Sequence, residues 1–193
     1  MMKPVIAIIL AAVILFGAAW CLKTVGQQNA QAYHVELMQT LLPGSESFTL
    51  EAYDGEDAVI RSVHKAENGF VVETATYGYA GEITMVIGVS NEGKVTGLVV
   101  LEAHETPGLG NEILTDHVFL SQFLNGDGEF TIGTSGADAF SGATGESASA
   151  DANEVDAITG ATVSSKAVAR CVSSAVAYVT GADVSSSATE WGG

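Results

Sequence analysis

Between Lys3 and Lys23 the chain carries no charge: Pro4 to Leu22 is a run of 19 residues dominated by Ala, Ile, Val and Leu. As a helix rising about 1.5 Å per residue it reaches about 28 Å, enough for the hydrocarbon core of a bilayer. The alternative is a cleaved signal peptide, for which Gly17-Ala18-Ala19 offers small residues near a cut. A lipoprotein signal would modify Cys21, but the bulky Trp20 before it is a poor match. The run is longer than a usual signal core, which favours a retained anchor over residues 1–23 with a transmembrane helix over about 4–22. Trp20 then falls at the far interface, where indole is well accommodated.

Lys3 and Lys23 balance one another, so the flanks alone hardly orient the helix. All 23 acidic residues lie beyond Lys23, with only Arg61, Lys65, Lys94, Lys166 and Arg170 to offset them. A short amino end and one apolar span leave the large domain outside. The expectation is a single-pass protein of the cell membrane with its bulk on the extracytoplasmic side. The net charge of -16 excludes a nucleic-acid binder, which needs a clustered Lys/Arg footprint. With 47% hydrophobic and 16% charged residues, the chain is no acidic disordered tail either. Cys171 is the only thiol past the anchor, so no disulfide framework or four-cysteine zinc site is available. His34, His64, His104 and His117 show no metal-ligand spacing, and no metal is expected.

After the anchor, 24–46 reads as a stalk, with Gly26 to Leu42 polar and partly helical up to Pro43-Gly44, a simple spacer. A folded domain is expected over 47–181. Its first part is mixed, with Phe48, Leu50, Val59 and Ile60 as core, and Phe70-Val71-Val72 opens a sheet region. The strongest strand signal is Glu82 to Ser90, where Ile83, Met85, Ile87 and Val89 alternate. Asn91-Glu92-Gly93 turns the chain, and Lys94 to Leu101 returns as a second strand of a hairpin. Asp116 to Leu124 reads as a short helix bearing Val118, Phe119, Phe123 and Leu124. The Gly/Ser/Ala-rich stretch 133–153 reads as a flexible loop. From Val163 the sequence is helical, with Val168, Val172, Ala175, Val176 and Val179 at spacings of three and four, and Gly181 as the stop. A disordered tail is expected over 182–193. Strands first and helices after make this an α+β domain.

The sharpest motif is Asp156-Ala157-Ile158-Thr159-Gly160-Ala161-Thr162, followed by Val163-Ser164-Ser165-Lys166. A hydroxyl-rich turn with a glycine runs into the amino end of an apolar-faced helix. There, free backbone N–H groups and the helix dipole favour a phosphate. Gly160 and Ala161 keep the turn narrow, while Thr162, Ser164 and Ser165 supply hydroxyls. The plainer interpretation is an ordinary cap, with Asp156 or Thr159 satisfying the first turn. A second segment, Glu105-Thr106-Pro107-Gly108-Leu109-Gly110, follows directly on the second hairpin strand. Pro107 stiffens it, and Gly108 and Gly110 remove side chains, so that a flat ring has room against backbone. Leu109 would then be an apolar contact, and Thr106 or Glu105 a polar one.

These residues resemble the FMN-binding domain family that includes the G subunit of the Rnf electron-transport complex and the C subunit of the sodium-pumping NADH:quinone reductase. The family's signature is Asp, two variable residues, Ser or Thr, then Gly-Ala-Thr, and Asp156 to Thr162 fits every specified position. The resemblance implies FMN joined to Thr162 by a phosphoester bond, installed by a flavin transferase that uses FAD. Asp156, Thr159, Gly160 and Ala161 would form the recognition sequence. It extends to the Glu-Thr-Pro-Gly-Leu-Gly stretch, implying that Glu105, Thr106, Gly108, Leu109 and Gly110 border the isoalloxazine. Asp138-Ala139-Phe140-Ser141-Gly142-Ala143-Thr144 also satisfies the signature, 18 residues earlier, which makes Thr144 a second candidate attachment site. Thr162 is preferred because only it opens a helix.

Between Lys94 and Lys166 there is no Lys or Arg against eleven Asp and Glu. A dissociable FMN phosphate usually needs a cationic clamp, whereas an esterified one has lost part of its charge and cannot leave. Lys166 and Arg170 are the nearest cations in sequence, and solvated helix-face positions are the commoner place for such residues. No nucleophile elbow, phosphate-binding loop or dinucleotide fingerprint is present, so no NADH site and no catalytic residue is assigned. The resemblance implies a membrane-anchored electron carrier in an Rnf-type ion-translocating ferredoxin:NAD oxidoreductase, with the other membrane subunits and the flavin transferase as partners. Two alternatives stand beside it. One is a stand-alone exported covalent flavoprotein of another electron-transfer chain. The other is an anchored binding domain whose motif is only a helix cap.

Overall fold

The computed structural model describes residues 34–105, 116–133 and 153–182. The expected anchor over 4–22, the loop from Thr106 to Gly110, the motif ending at Thr144 and the tail from 183 lie outside the described residues. Among those described, no helix is long and apolar enough to cross a membrane. The chain divides into two compact units, Met1–Leu37 and Met38–Gly193, and the sheet and its core belong to the second.

Five strands, β1 (Thr49–Glu51), β2 (Ile60–Lys65), β3 (Gly69–Tyr77), β4 (Glu82–Ser90) and β5 (Val95–Ala103), pair antiparallel in chain order. The alternation in β4 survives intact: Ile83, Met85, Ile87 and Val89 are all fully buried on one face. Register extends that face to β3, where Phe70, Val72 and Thr74 lie opposite Val89, Ile87 and Met85. The expected hairpin is therefore present, with Asn91 to Gly93 turning the chain and the Ser90 N–H donating to the Lys94 carbonyl at 2.8 Å.

A long helix, Thr162–Thr180, covers the same face and buries Val168, Cys171, Val172, Ala175 and Val176 against it. Counting a helix at 34–41 as α1 and His117–Ser121 as α2, this long helix is α3. In α2, Asp116 caps the first turn by accepting from the Val118 N–H. Phe119 and Phe123 bury at the sheet's end, with Phe123 packed against Phe130 at 5.2 Å between ring centres. The two other apolar residues of the segment, Val118 and Leu124, are 75% and 41% exposed. An element this short can turn only one face inward, and positions 119 and 123 occupy it.

Three expectations are corrected. Leu50 is 65% exposed, because three-residue β1 is an edge strand with little to cover it. Both ends of the stretch read as a flexible loop are strand: β6 (Phe130–Gly133) pairs parallel with β7 (Asn153–Asp156). The supposed spacer does not stop short of the domain, since Met38, Leu41 and Leu42 are buried. The Leu41 carbonyl accepts from Thr96 Oγ1 and lies over Gly88 and Gly97, which face each other across β4 and β5. A Cβ on Gly88 would come within 2.3 Å of that carbonyl oxygen, so the strand glycines admit a neighbouring backbone. The result is an α+β domain: an antiparallel sheet with α3 across one face and the end of α1 against the other.

Candidate functional site at the head of helix α3

Strand β7 delivers the chain to the motif. The Asp156 N–H donates to Gln122 Oε1 at 3.0 Å, and the Ala157 N–H reaches the Gly133 carbonyl at 3.4 Å. A tight turn follows, closed by the Ala161 N–H on the Ile158 carbonyl at 3.0 Å. Gly160, its third residue, has φ +88°, a conformation open to glycine and costly for other residues. The helix then begins at Thr162, the threonine that ends the signature.

The first turn of α3 has an unusual cap. Ala161, and neither Asp156 nor Thr159, holds the capping position, and it makes no side-chain cap hydrogen bond. The first intrahelical bond that closes runs from the Ser165 N–H to the Ala161 carbonyl, at 2.9 Å. The N–H groups of Thr162, Val163 and Ser164 therefore have no acceptor within the helix. Asp156, Thr159 and Gly160 are exposed, Ala161 is buried, and Thr162 is half-buried. Of the three hydroxyls expected to serve a ligand, only that of Thr162 is on a residue that is not fully buried, since Ser164 and Ser165 are 1% and 0% exposed. Ser165 Oγ is nevertheless unsatisfied by any protein partner.

Glu105 is where the structure adds most. Its Oε1 accepts from the Tyr79 N–H at 2.8 Å and from Ser164 Oγ at 3.1 Å, and its Oε2 from the Ala80 N–H at 3.1 Å. The carboxylate is buried and engaged by the protein's own donors, so it joins the β3–β4 turn to the head of α3. Gly78 makes room for it: a Cβ there would sit 1.9 Å from Oε1. The Gly78-to-Gly81 turn, closed by the Gly78 N–H on the Gly81 carbonyl at 2.8 Å, is not anticipated from the sequence. Its signal is a pair of glycines three residues apart between two strands.

The other expected residues fall as follows. His104 is exposed and pairs with Glu102 at 3.3 Å, as a strand-end histidine does. Lys166 is exposed, and Arg170 is half-buried with its Nε unpaired. Deeper along α3, burial pushes the Cys171 thiol up to about 11. Thr74 Oγ1 makes no hydrogen bond of good geometry, yet it lies close enough to the thiol to offset part of that rise. The head of α3 thus combines free backbone N–H groups, a glycine turn, an unsatisfied buried hydroxyl and a half-buried threonine. That donor set suits a phosphate or phosphate ester.

Residues 78–177, half of the chain, match the family model of the FMN-binding domain. The chain is 32% identical over 154 residues to the G subunit of the ion-translocating oxidoreductase complex of Methanosarcina acetivorans, covering 75% of this chain and 73% of that one. It is 37% identical over 101 residues to the G subunit of the Na(+)-translocating ferredoxin:NAD(+) oxidoreductase complex of Acetobacterium woodii, covering 52% of this chain and 44% of the relative. Several curated relatives are matched over about half their length in this way. Among solved structures, the C subunit of the Na(+)-translocating NADH-quinone reductase from Parabacteroides distasonis aligns over 70% of this chain and 76% of its own, at a TM-score of 0.49 and 20% identity.

Proposed function

This chain belongs to the FMN-binding domain family, and from that premise we propose that it is an electron-transfer flavoprotein with FMN esterified to Thr162. In this proposal it serves as the G subunit of an Rnf-type ion-translocating ferredoxin:NAD oxidoreductase. The observation that carries it is the placement of Thr162: a half-buried threonine as the first residue of a helix with no side-chain cap, beside three N–H groups that have no acceptor within the helix.

Bound there, FMN would supply reversible electron transfer, and the protein supplies position and electrostatics. In the attachment reaction Thr162 Oγ would be the nucleophile, its ester to FMN replacing the P–O–P linkage of FAD, with AMP as the leaving group and the hydroxyl proton released. The N–H groups of Thr162, Val163 and Ser164, which have no acceptor within the helix, would hold the phosphate in the favourable field of the helix end. An ester fixed by a covalent bond needs no cationic clamp, in keeping with the absence of Lys and Arg between Lys94 and Lys166. Thr106, Gly108, Leu109 and Gly110 would border the ring. Residues 4–22 would anchor the chain, with the domain on the extracytoplasmic side, among the other Rnf-type subunits. A dedicated flavin transferase would mature it.

The test is co-expression with a flavin transferase, denaturation, and in-gel flavin fluorescence. Thr162→Val removes the hydroxyl at nearly constant volume and is expected to abolish the fluorescent band. Thr144→Val, the control for the second signature, is expected to leave it. Fluorescence surviving in Thr162→Val but lost in Thr144→Val would move the attachment site.

A further inference from the structure

Resting on the assignment of Thr162, we propose that Glu105 is a positioning residue that presents the attachment threonine by holding the first turn of α3. A capping side chain would stabilise that turn in the usual way, but it would occupy the very N–H groups that an esterified phosphate needs. This helix has no such cap. Its side-chain tie is the Ser164 hydroxyl, donated to a carboxylate 59 residues away in sequence. The bond holds the turn and consumes none of its backbone N–H groups.

The tie is rigid for three reasons. Glu105 Oε1 is shared by Ser164 Oγ and the Tyr79 N–H, while Oε2 takes the Ala80 N–H, so the carboxylate cannot swing. Hydrogen bonds to an ionised acceptor are roughly twice as strong as neutral ones. The surroundings also leave room for this arrangement, since Gly78 puts no side chain where the carboxylate sits. Thr162 stands two residues before Ser164 on the same turn, so fixing Ser164 fixes the rotation and height at which the threonine is offered. Misplacing a reacting group by about 1 Å costs up to about 100-fold in rate. Glu105 therefore belongs with the scaffold of the attachment site.

The experiment uses the full chain in two arms. In the first, flavin transferase is co-expressed and the initial rate of covalent flavin incorporation is measured per folded molecule. Glu105→Ala and Ser164→Ala are expected to slow incorporation about tenfold. Ser164→Thr, which keeps the hydroxyl, should recover most of the rate, and the double alanine variant should be no slower than Glu105→Ala alone. In the second arm, without transferase, amide hydrogen exchange is followed at Tyr79, Ala80 and Ser165. Glu105→Ala should speed exchange at all three, and Ser164→Ala at Ser165 only. If Glu105→Ala does not fold, Ser164→Ala and Ser164→Thr carry the test, because they remove or keep a single bond. Lower thermal stability with a wild-type rate per folded molecule would make Glu105 a merely structural residue and overturn the proposal. Wild-type protein without covalent flavin defeats the Thr162 reading alone. The exchange arm still judges the tie, and unchanged exchange at Ser165 in both alanine variants overturns it.

Discussion

The two ends of α3 are built in opposite ways. At its carboxyl end the cap is a glycine: Gly181 closes the helix in the left-handed region at φ +70°, its N–H bonded to the Ala177 carbonyl at 2.8 Å. Thr180 Oγ1 returns to the Val176 carbonyl at 3.0 Å. Tyr178 stands edge-on to Tyr53 and Phe70, each at 5.8 Å, with its hydroxyl on Glu51. At the amino end the cap is an alanine, three N–H groups lack helical acceptors, and Ser165 Oγ is buried without a partner. A helix of this length could tolerate a good cap at either end. Leaving one end open lowers stability, and the tie through Glu105 compensates from the side. The closed end reads as scaffold, and the proposed attachment threonine stands at the open end.

The largest expected effect comes from breaking the open end's support. In Gly78→Ala the new Cβ would lie 1.9 Å from Glu105 Oε1 and 2.7 Å from Ile83 Cδ1, so the carboxylate must leave its place. Overpacking and lost charged hydrogen bonds together should destabilise the domain by about 3 kcal/mol. Covalent flavin per folded molecule should also fall. Thermal melts beside the in-gel fluorescence assay check both. A variant that is destabilised but fully loaded would show that the two ends differ less than their geometry implies.

The middle of the helix gives the next effect, and it depends on pH. Burial raises the Cys171 thiol from about 9.0 to about 11, so the fold favours its neutral form. A group whose folded pKa lies above its unfolded one stabilises the fold fully below the unfolded value, and loses that contribution as pH rises through the folded one. Stability should therefore be flat up to about pH 9 and decline toward pH 11, and Cys171→Ala should flatten that decline. Tyr178, raised by partial burial and then by Glu51, acts in the same direction at the closed end. Being more open to solvent, it contributes less. Chemical denaturation at about pH 8 and about pH 10.5, on either side of the onset, measures the difference. An identical slope in Cys171→Ala would remove the thiol from the account.

What the sequence made legible divides along the same line. The hairpin was legible because Ile83, Met85, Ile87 and Val89 alternate without a break, and α3 because Val168, Val172, Ala175 and Val176 keep helical spacing. The turn into Thr162 was legible as a motif. The tie at Glu105 was not, since its partners lie 25, 26 and 59 residues away and no local pattern links them. The β6–β7 ladder was hidden for a similar reason: two four-residue strands pair across an intervening segment rich in Gly and Ser. Gly88 and Gly97 did carry a signal. Two glycines inside neighbouring strands call for a backbone close above them, and Leu41 supplies it. Leu50 misled because apolarity alone does not say whether an edge strand has anything to cover it.

The smallest effect belongs to the closed end, and it sharpens the comparison most. A Cβ added at Gly181 would meet nothing within 4 Å, so Gly181→Ala tests backbone conformation alone. Holding alanine at φ +70° costs about 1 kcal/mol, which for a domain of this size lowers the melting temperature by about 2–4 °C. Flavin loading should not change, because Gly181 is separated from Thr162 by the whole length of a helix whose middle is locked into the core. A small melting shift with full loading would confirm that stability and attachment reside at different ends of α3. Reduced loading would mean that fraying at Gly181 reaches Thr162 and that the helix responds as one unit.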